Sequence, residues 1–164
     1  MTAMARFFHA RRRLCLQLLL AGAGPAWAAL DASERLLPTS QSLQHDLALA
    51  LAGKQPLVVM ASLHGCPYCK LVREHYLLPL QRSGALVTQI HFLSREALQD
   101  WDGVATTHGD MVRQLGIEVA PTVLFYGAAR KEVAERLSGS SIPDFYGAYL
   151  DERMQTARAA VQGR

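Results

Sequence analysis

The four residues Cys66-Pro67-Tyr68-Cys69 constrain the possible folds of this chain more than any other feature. They follow a continuous apolar run, residues 57–61, and such a run is typical of a strand buried on both faces. Pro67 suits the first turn of a helix, because the N–H that proline lacks has no helical partner there. The sequence therefore predicts a buried strand that leads through a short turn into a helix opened by the two cysteines and reaching about Gln81.

Apolar periodicity and turn residues predict the elements around this unit. We expect a helix capped by Ser40 or Ser42 and ended by Gly53, a short helix over residues 110–115 and a final helix over residues 143–162. Strands are predicted over residues 86–92, 121–126 and 132–137, the last two joined by a tight turn. Strands that alternate with helices imply right-handed parallel crossovers, and so a central sheet with helices on both faces.

Three segments carry more specific expectations. Residues 94–106, polar and acidic around Trp101, are interpreted as an insertion or a short extra helix. Pro79 predicts a kink or an early end of the helix that contains it. The aromatic residues Phe145, Tyr146 and Tyr149 are expected to dock the last helix onto the sheet.

Cys66 is the expected attacking sulfur, since the thiolate is the nucleophile in disulfide exchange. At a helix N-terminus, unpaired backbone N–H groups and the positive end of the helix dipole favour the anion, so we expect a lowered pKa for Cys66. Cys69 lies one turn further on, shielded and able to attack a mixed disulfide on Cys66. A disulfide that closes so short a loop adds little stability, which indicates a redox couple rather than a structural bridge.

The first 28 residues have the pattern of a secretory signal peptide. They contain four arginines, no acidic residue and the small residues of Ala26-Trp27-Ala28 for cleavage. Their apolar run of about ten residues is shorter than the roughly 20 that span a bilayer, which disfavours a retained anchor. We expect a signal peptide at residues 1–28, an N-terminal arm at residues 29–39 and one domain at residues 40–164, exported to an oxidising compartment, the periplasm.

The formal net charge of +3 comes from this leader. The remaining residues carry 13 basic and 14 acidic side chains, so the expected domain is nearly neutral. This balance gives no electrostatic case for nucleic-acid binding.

The order of these motifs resembles the thioredoxin superfamily over about residues 40–162. The cysteines open a helix after a buried strand, and Val119-Ala120-Pro121-Thr122 later leads into a strand and a hairpin. The resemblance implies an α/β protein of thioredoxin fold, with a central mixed sheet of about four strands flanked by helices on both faces. It also implies a cis bond before Pro121, which exposes the backbone of Ala120 beside the disulfide for an extended substrate; an ordinary trans proline is the alternative.

The two residues between the cysteines, Pro67 and Tyr68, are similar to those of glutaredoxins. The exported setting resembles periplasmic thioredoxin-like proteins, including those found with sulfur-oxidation systems. Two positions depart from the thioredoxin pattern. Met60 stands where cytosolic thioredoxins carry a buried aspartate, so the proton acceptor for Cys69 is a water, Glu74 or a group that the sequence does not identify. His64 precedes the cysteines and is a candidate for holding the Cys66 thiolate, the alternative being a solvated loop histidine.

Together these observations predict a periplasmic thiol:disulfide oxidoreductase with a redox-active Cys66–Cys69 disulfide and no other cofactor. Its expected partners are exported cysteine-containing proteins, which it reduces in preference to inserting disulfides, and a membrane thiol protein that supplies the electrons. Alternatives are an oxidase, a protein dedicated to one partner, or a non-enzymatic carrier that binds Cu(I) through the same thiolates. No structural zinc site is predicted, because a second ligand pair is missing, and no obligate oligomer is expected.

Overall fold

The computed structural model describes residues 32–139 and 143–163. The helices are α1 (Leu43–Ala52), α2 (Pro67–Val72), α3 (Leu78–Arg82), α4 (His108–Gln114) and α5 (Pro143–Gln162). The strands are β1 (Leu57–Ser62), β2 (Leu86–His91), β3 (Ala97–Gln99), β4 (Ala105–Thr107), β5 (Thr122–Tyr126) and β6 (Glu132–Ser138). The predicted signal peptide lies outside the described residues. In the part of the chain that is described, no helix has both the length and the apolarity needed to span a bilayer.

Four strands form a mixed central sheet in the order β2-β1-β5-β6. β1 and β2 are parallel, with Leu57 paired to Leu86, whereas β5 runs antiparallel to both β1 and β6. β1 is apolar except for its last residue and lies at the centre of the sheet, because only a doubly buried strand can bury such a run on both faces. The predicted thioredoxin fold, with about four strands in a mixed sheet, is confirmed.

Alternate residues of β1 point into two cores, one on each face of the sheet. Val58 and Met60 contribute to a core that also contains residues of α2 and α5. Leu57, Val59 and Ala61 contribute to the core that α1 and α4 cover. Helices therefore lie on both faces, as the alternation of strands and helices predicted.

The helix that begins after Cys66 does not end at Pro79. α2 continues through a π turn, Arg73–Leu77, directly into α3, which contains Pro79 near its start. Proline cannot donate to the carbonyl four residues earlier, and the wider turn just before it is one way in which a helix accommodates that loss. Of the two alternatives predicted at Pro79, a kink or an early end, the early end was wrong, and the helix instead has an irregular turn just before the proline.

Two other expectations are corrected. Of the two alternatives for residues 94–106, an insertion or a short extra helix, the helix was wrong, because β3 and β4 pair there as a separate two-stranded antiparallel sheet. Of the three aromatic residues expected to dock the last helix, Tyr146 is buried, but Phe145 and Tyr149 are 59% and 41% exposed. A helix of this length presents one face to the core, and these two residues lie off that face.

Candidate active site

Cys66 caps the N-terminus of α2, as the position of Pro67 predicted. Its Sγ accepts a hydrogen bond from the backbone N–H of Cys69 at 3.1 Å. Cys66 is half-buried, Cys69 is fully buried, and no disulfide joins them in this structure. An N–H donated to sulfur favours the thiolate over the thiol. The arrangement makes Cys66 the reachable sulfur of the pair, while the lowered pKa expected for it stays a prediction.

Cys69 has an environment of the opposite kind. Burial and the neighbouring Cys66 sulfur raise the pKa of the Cys69 thiol to about 12. The Ser62 side chain and the Leu63 backbone act in the other direction and favour the thiolate. The two sulfurs therefore differ in how accessible they are to a partner protein, and Cys69 is the one whose ionisation is opposed by full burial.

Pro67 occupies the first turn of α2, and Tyr68 follows with 61% of its surface exposed. Leu63, in the turn before the cysteines, is 37% exposed. These apolar side chains lie beside the accessible sulfur in sequence, where a partner protein would have to approach. Their part in substrate binding stays a prediction.

The peptide bond between Ala120 and Pro121 is cis, which confirms that expectation. The antiparallel register pairs Ala61 of β1 with Thr122 of β5, so Pro121 lies beside the end of β1, where the chain turns toward Cys66. Ala120 is half-buried and packs against the core that contains Cys69. The sheet thus brings the two sequence motifs to the same end of the molecule. That a substrate backbone pairs with Ala120 stays a prediction.

His64 is held by a residue of the N-terminal arm. Its Nδ1 lies 2.7 Å from Oε2 of Glu34, and the other carboxylate oxygen of Glu34 accepts the N–H of Gly65 at 3.0 Å. Burial opposes ionisation of Glu34, but these hydrogen bonds outweigh it and hold the pKa of the carboxyl below its usual value. The Nδ1 atom of His64 is directed at Glu34 rather than at Cys66, and its action on the thiolate stays a prediction.

Two buried histidines stand behind His64. The ring of His91 stacks on that of His64 with centroids 4.6 Å apart and planes 9° apart, and His108 lies 5.9 Å beyond. Burial and the neighbouring imidazoles lower the pKa of His91 to about 4, and burial also lowers the pKa of His108. Both rings are therefore neutral at neutral pH.

Arg73 is only 1% exposed, and the sequence analysis did not identify it as part of the site. Its Nε donates to Gln89 Oε1 at 3.2 Å, Nη1 to Ser33 Oγ at 3.0 Å and Nη2 to Ser62 Oγ at 2.6 Å. A signal for it did exist, because Arg73 follows Cys69 by four residues and so shares its helix face. We use the name polar cluster for this group of buried residues beside the cysteines: Ser33, Glu34, Ser62, Arg73, Gln89 and His91.

Glu74, which the sequence offered as a proton acceptor for Cys69, pairs with Lys70 at 3.7 Å. Its side chain is 31% exposed, whereas Cys69 is fully buried. This placement favours a solvent-facing helix pair over a role at the buried sulfur.

Among residues 32–139 and 143–163, no group of three or more histidine, cysteine or acidic side chains is arranged to hold a metal ion. The parallel stacking of His64 on His91 fits this finding, because stacked rings do not direct their nitrogens at a common point. Two cysteine sulfurs alone suffice for Cu(I), so the copper carrier stays an alternative.

Comparison with known proteins gives a consistent result. Residues 43–153 match the profile of a family described as a thioredoxin-like domain. A thioredoxin from Thermus thermophilus is 21% identical, with 77% of this chain and 94% of that one covered and a TM-score of 0.51. A thioredoxin-fold protein from Helicobacter pylori is 12% identical, covering 82% and 94%, with a TM-score of 0.48. Mitochondrial thioredoxin 3 from Saccharomyces cerevisiae is 16% identical, covering 76% and 98%, also at 0.48. No curated protein matches the sequence.

Proposed function

The chain belongs to the family of thioredoxin-like domains, and we propose that it is a thiol–disulfide oxidoreductase working through Cys66 and Cys69. One observation carries the proposal. The half-buried Cys66 sulfur sits at a helix N-terminus and accepts the N–H of a fully buried second cysteine at 3.1 Å. This is the arrangement that thiol exchange requires, with one sulfur open to a partner and the other held in reserve one turn away.

In the proposed reaction, the Cys66 thiolate attacks a disulfide of the partner protein. A bond forms between Cys66 and one partner sulfur, and the second partner sulfur leaves as a thiolate that takes up a proton. Cys69 then loses its proton and attacks the Cys66 sulfur. The Cys66–Cys69 disulfide forms, the remaining partner sulfur leaves, and it takes up the proton that Cys69 released.

We further propose that the protein acts in the periplasm on exported cysteine-containing proteins, and that it reduces them. The signal-peptide pattern of residues 1–28 supports export. Reduction is favoured because the described domain carries a short β3–β4 hairpin, and not a large helical insertion, between β2 and α4. A reductase in that compartment needs electrons from outside it, so its proposed donor is a membrane thiol protein.

The proposed activity is tested by reduction of insulin in the presence of dithiothreitol. Wild-type protein is expected to accelerate insulin precipitation, Cys66→Ser to give the rate of dithiothreitol alone, and Cys69→Ser to accumulate a mixed disulfide with insulin. Stoichiometric Cu(I) binding by the wild type without any acceleration would instead support the carrier. Mixed disulfides that accumulate only in Cys66→Ser would reverse the two sulfur roles.

The direction of electron flow is tested by the reduction potential of the Cys66–Cys69 couple. A potential near that of thioredoxin, about −270 mV, supports the proposed reductase. A potential approaching about −120 mV, as in strong disulfide oxidants, would replace it with the oxidase alternative.

A further inference from the structure

We propose that Ser62 is a catalytic residue of the second step, in which it stabilises the Cys69 thiolate that attacks Cys66, and that Arg73 is the positioning residue that orients it. This inference rests on the proposed function, since it assigns residues to one step of that reaction. Met60 is apolar at the position where cytosolic thioredoxins carry a buried aspartate. Another group therefore has to assist ionisation of Cys69, and Ser62 is the group proposed here.

The hydrogen-bond directions around Ser62 carry the argument. A guanidinium has donors and no acceptor, so the 2.6 Å contact with Arg73 Nη2 obliges Ser62 Oγ to accept. The hydroxyl hydrogen of Ser62 is then not used by Arg73 and remains available for the Cys69 sulfur, whose ionised form the Ser62 side chain favours. A thiolate can only accept, so the arrangement matches the anionic form of Cys69.

Three side chains among the described residues help to hold Arg73 in place. Besides Ser62, its guanidinium donates to Gln89 on β2 and to Ser33 in the N-terminal arm. Gln89 is fixed in turn, because its amide donates to the backbone oxygens of Glu34 and Leu37 at 2.6 and 3.0 Å. The guanidinium of Arg73 is thus held one hydrogen bond away from the Ser62 hydroxyl, and it fixes the Ser62 oxygen as an acceptor.

The contacts of Cys69 also explain when the thiolate forms. The sulfur of Cys66 opposes ionisation of Cys69 both as a hydrogen-bond partner and through its charge. Once Cys66 is bound to a partner in a mixed disulfide, that charge is gone, and burial is opposed by Ser62 and Leu63. Tyr146 on α5 also lies close enough to interact with Cys69, and its own pKa is raised by burial, so it stays neutral. The second cysteine is therefore activated by completion of the first step.

The proposed step is balanced without a further reactant. Cys69 gives up a proton and its sulfur forms a bond with Cys66, while the bond between Cys66 and the partner sulfur breaks. The proton ends on the departing partner sulfur. Ser62 keeps its own proton throughout and only shares it in a hydrogen bond with the Cys69 sulfur.

The step can be isolated with the aromatic disulfide 5,5′-dithiobis(2-nitrobenzoate). Its first thiol is released when Cys66 attacks, at a rate proportional to reagent concentration. The second is released when Cys69 attacks the resulting mixed disulfide, at a rate independent of that concentration. Stopped-flow absorbance of fully reduced protein across a pH series therefore gives the Cys66 and Cys69 steps separately.

Ser62→Ala is expected to slow the second release about tenfold at neutral pH and to move the midpoint of its pH profile up by about one unit, because one unit corresponds to tenfold in thiolate population. The first release should stay within about twofold. Ser62→Thr, which keeps the hydroxyl, should restore the rate. Arg73→Lys keeps the charge but loses the planar fork, and is expected to slow the second release about threefold.

Glu74→Gln is the matched control on the same helical segment and should leave both releases unchanged. A second release in Ser62→Ala with the wild-type rate and pH midpoint would overturn the inference, as would a slowing in Glu74→Gln equal to that in Ser62→Ala. If Ser62→Ala does not fold, Arg73→Lys is judged by the same criteria. Wild-type protein that releases one thiol and no second one would refute the proposed function itself, which is a different result.

Discussion

Along β1, the residues from Leu57 to Ala61 are apolar and fully buried, whereas the last residue, Ser62, is equally buried but lies among polar groups. The first stretch packs into two cores of ordinary apolar side chains. Ser62 belongs to the polar cluster, in which buried side chains such as Arg73 and Gln89 are held by hydrogen bonds to one another. Packing in the first region tolerates a change of shape, because other side chains shift slightly. The second region depends on specific partners, and the loss of one leaves the others buried and unsatisfied.

The largest effect is expected from replacing Arg73 with an apolar side chain. Arg73→Met removes the donors to Gln89, Ser33 and Ser62 and should lower the free energy of unfolding by about 3–5 kcal/mol, because each buried acceptor that loses its donor costs about 1–3 kcal/mol. Met60→Leu, an exchange of similar volume in the apolar region, should cost less than about 1.5 kcal/mol. Urea unfolding of both variants measures the difference, and equal losses would show that the two regions do not differ in this way.

A second test uses acid. The pKa of His91 is about 4 in the folded protein, whereas the ordinary histidine value of 6.5 applies in the unfolded chain. Below pH 6.5 the unfolded chain therefore binds a proton at His91 that the folded state does not bind. The contribution of neutral His91 to stability is therefore fully present above pH 6.5 and is lost as the pH falls toward 4. This loss amounts to about 2 kcal/mol between pH 7 and pH 5. Urea unfolding at the two pH values checks this loss.

The matched variants for that test are His91→Asn and His45→Gln. His91→Asn should reduce the loss of stability between pH 7 and pH 5, because the larger of the two buried-histidine contributions is gone and only that of His108 is left. His45 is exposed, so His45→Gln should keep the wild-type profile. A profile that His91→Asn leaves unchanged would assign the acid sensitivity to other groups.

A smaller effect is expected at Glu34. Glu34→Gln keeps an oxygen for the Gly65 N–H but removes the charge beside His64, and should cost about 1.5 kcal/mol. Because Gly65 directly precedes Cys66, the first thiol release from the aromatic disulfide should also change in rate. Loss of stability without any change in that rate would confine Glu34 to a structural role.

The smallest effect is expected from the helix cap of α1, away from the polar cluster. Ser42 accepts the N–H of His45 at 3.2 Å, and Ser42→Ala should cost about 1 kcal/mol, as loss of a side-chain cap usually does. Insulin reduction should not change. A parallel loss of activity would show that α1 is coupled to the active site.

The contrast between the apolar part of β1 and the polar cluster also explains which features could be predicted from the sequence. The apolar run of β1, the proline after Cys66 and the stop at Gly53 are local signals, and the corresponding elements were found within one or two residues of their predicted ends. The hairpin of β3 and β4 was missed because each strand has only three residues. Among these six residues, Leu98 is the one that is buried. So short a segment shows no clear alternation.

The polar cluster was missed for a different reason. Glu34 and His64 are 30 residues apart, Arg73 and Ser33 are 40 apart, and no local pattern joins them. An arginine in an amphipathic helix is ordinarily assigned to solvent, and the arm before α1 has no periodicity that marks Glu34 as buried. Such contacts arise from the tertiary fold, so the cysteines could be identified from sequence but their surroundings could not.

The place of Ser33 and Glu34 has a practical consequence for how the chain is divided. Similarity to the family begins at residue 43, after both of them. A protein trimmed to the matched region would keep the sheet and both cysteines yet lack two of the side chains that hold Arg73 and the turn before Cys66. Boundaries drawn by resemblance alone would therefore yield a fragment that keeps both cysteines while its reactive centre has lost part of its support.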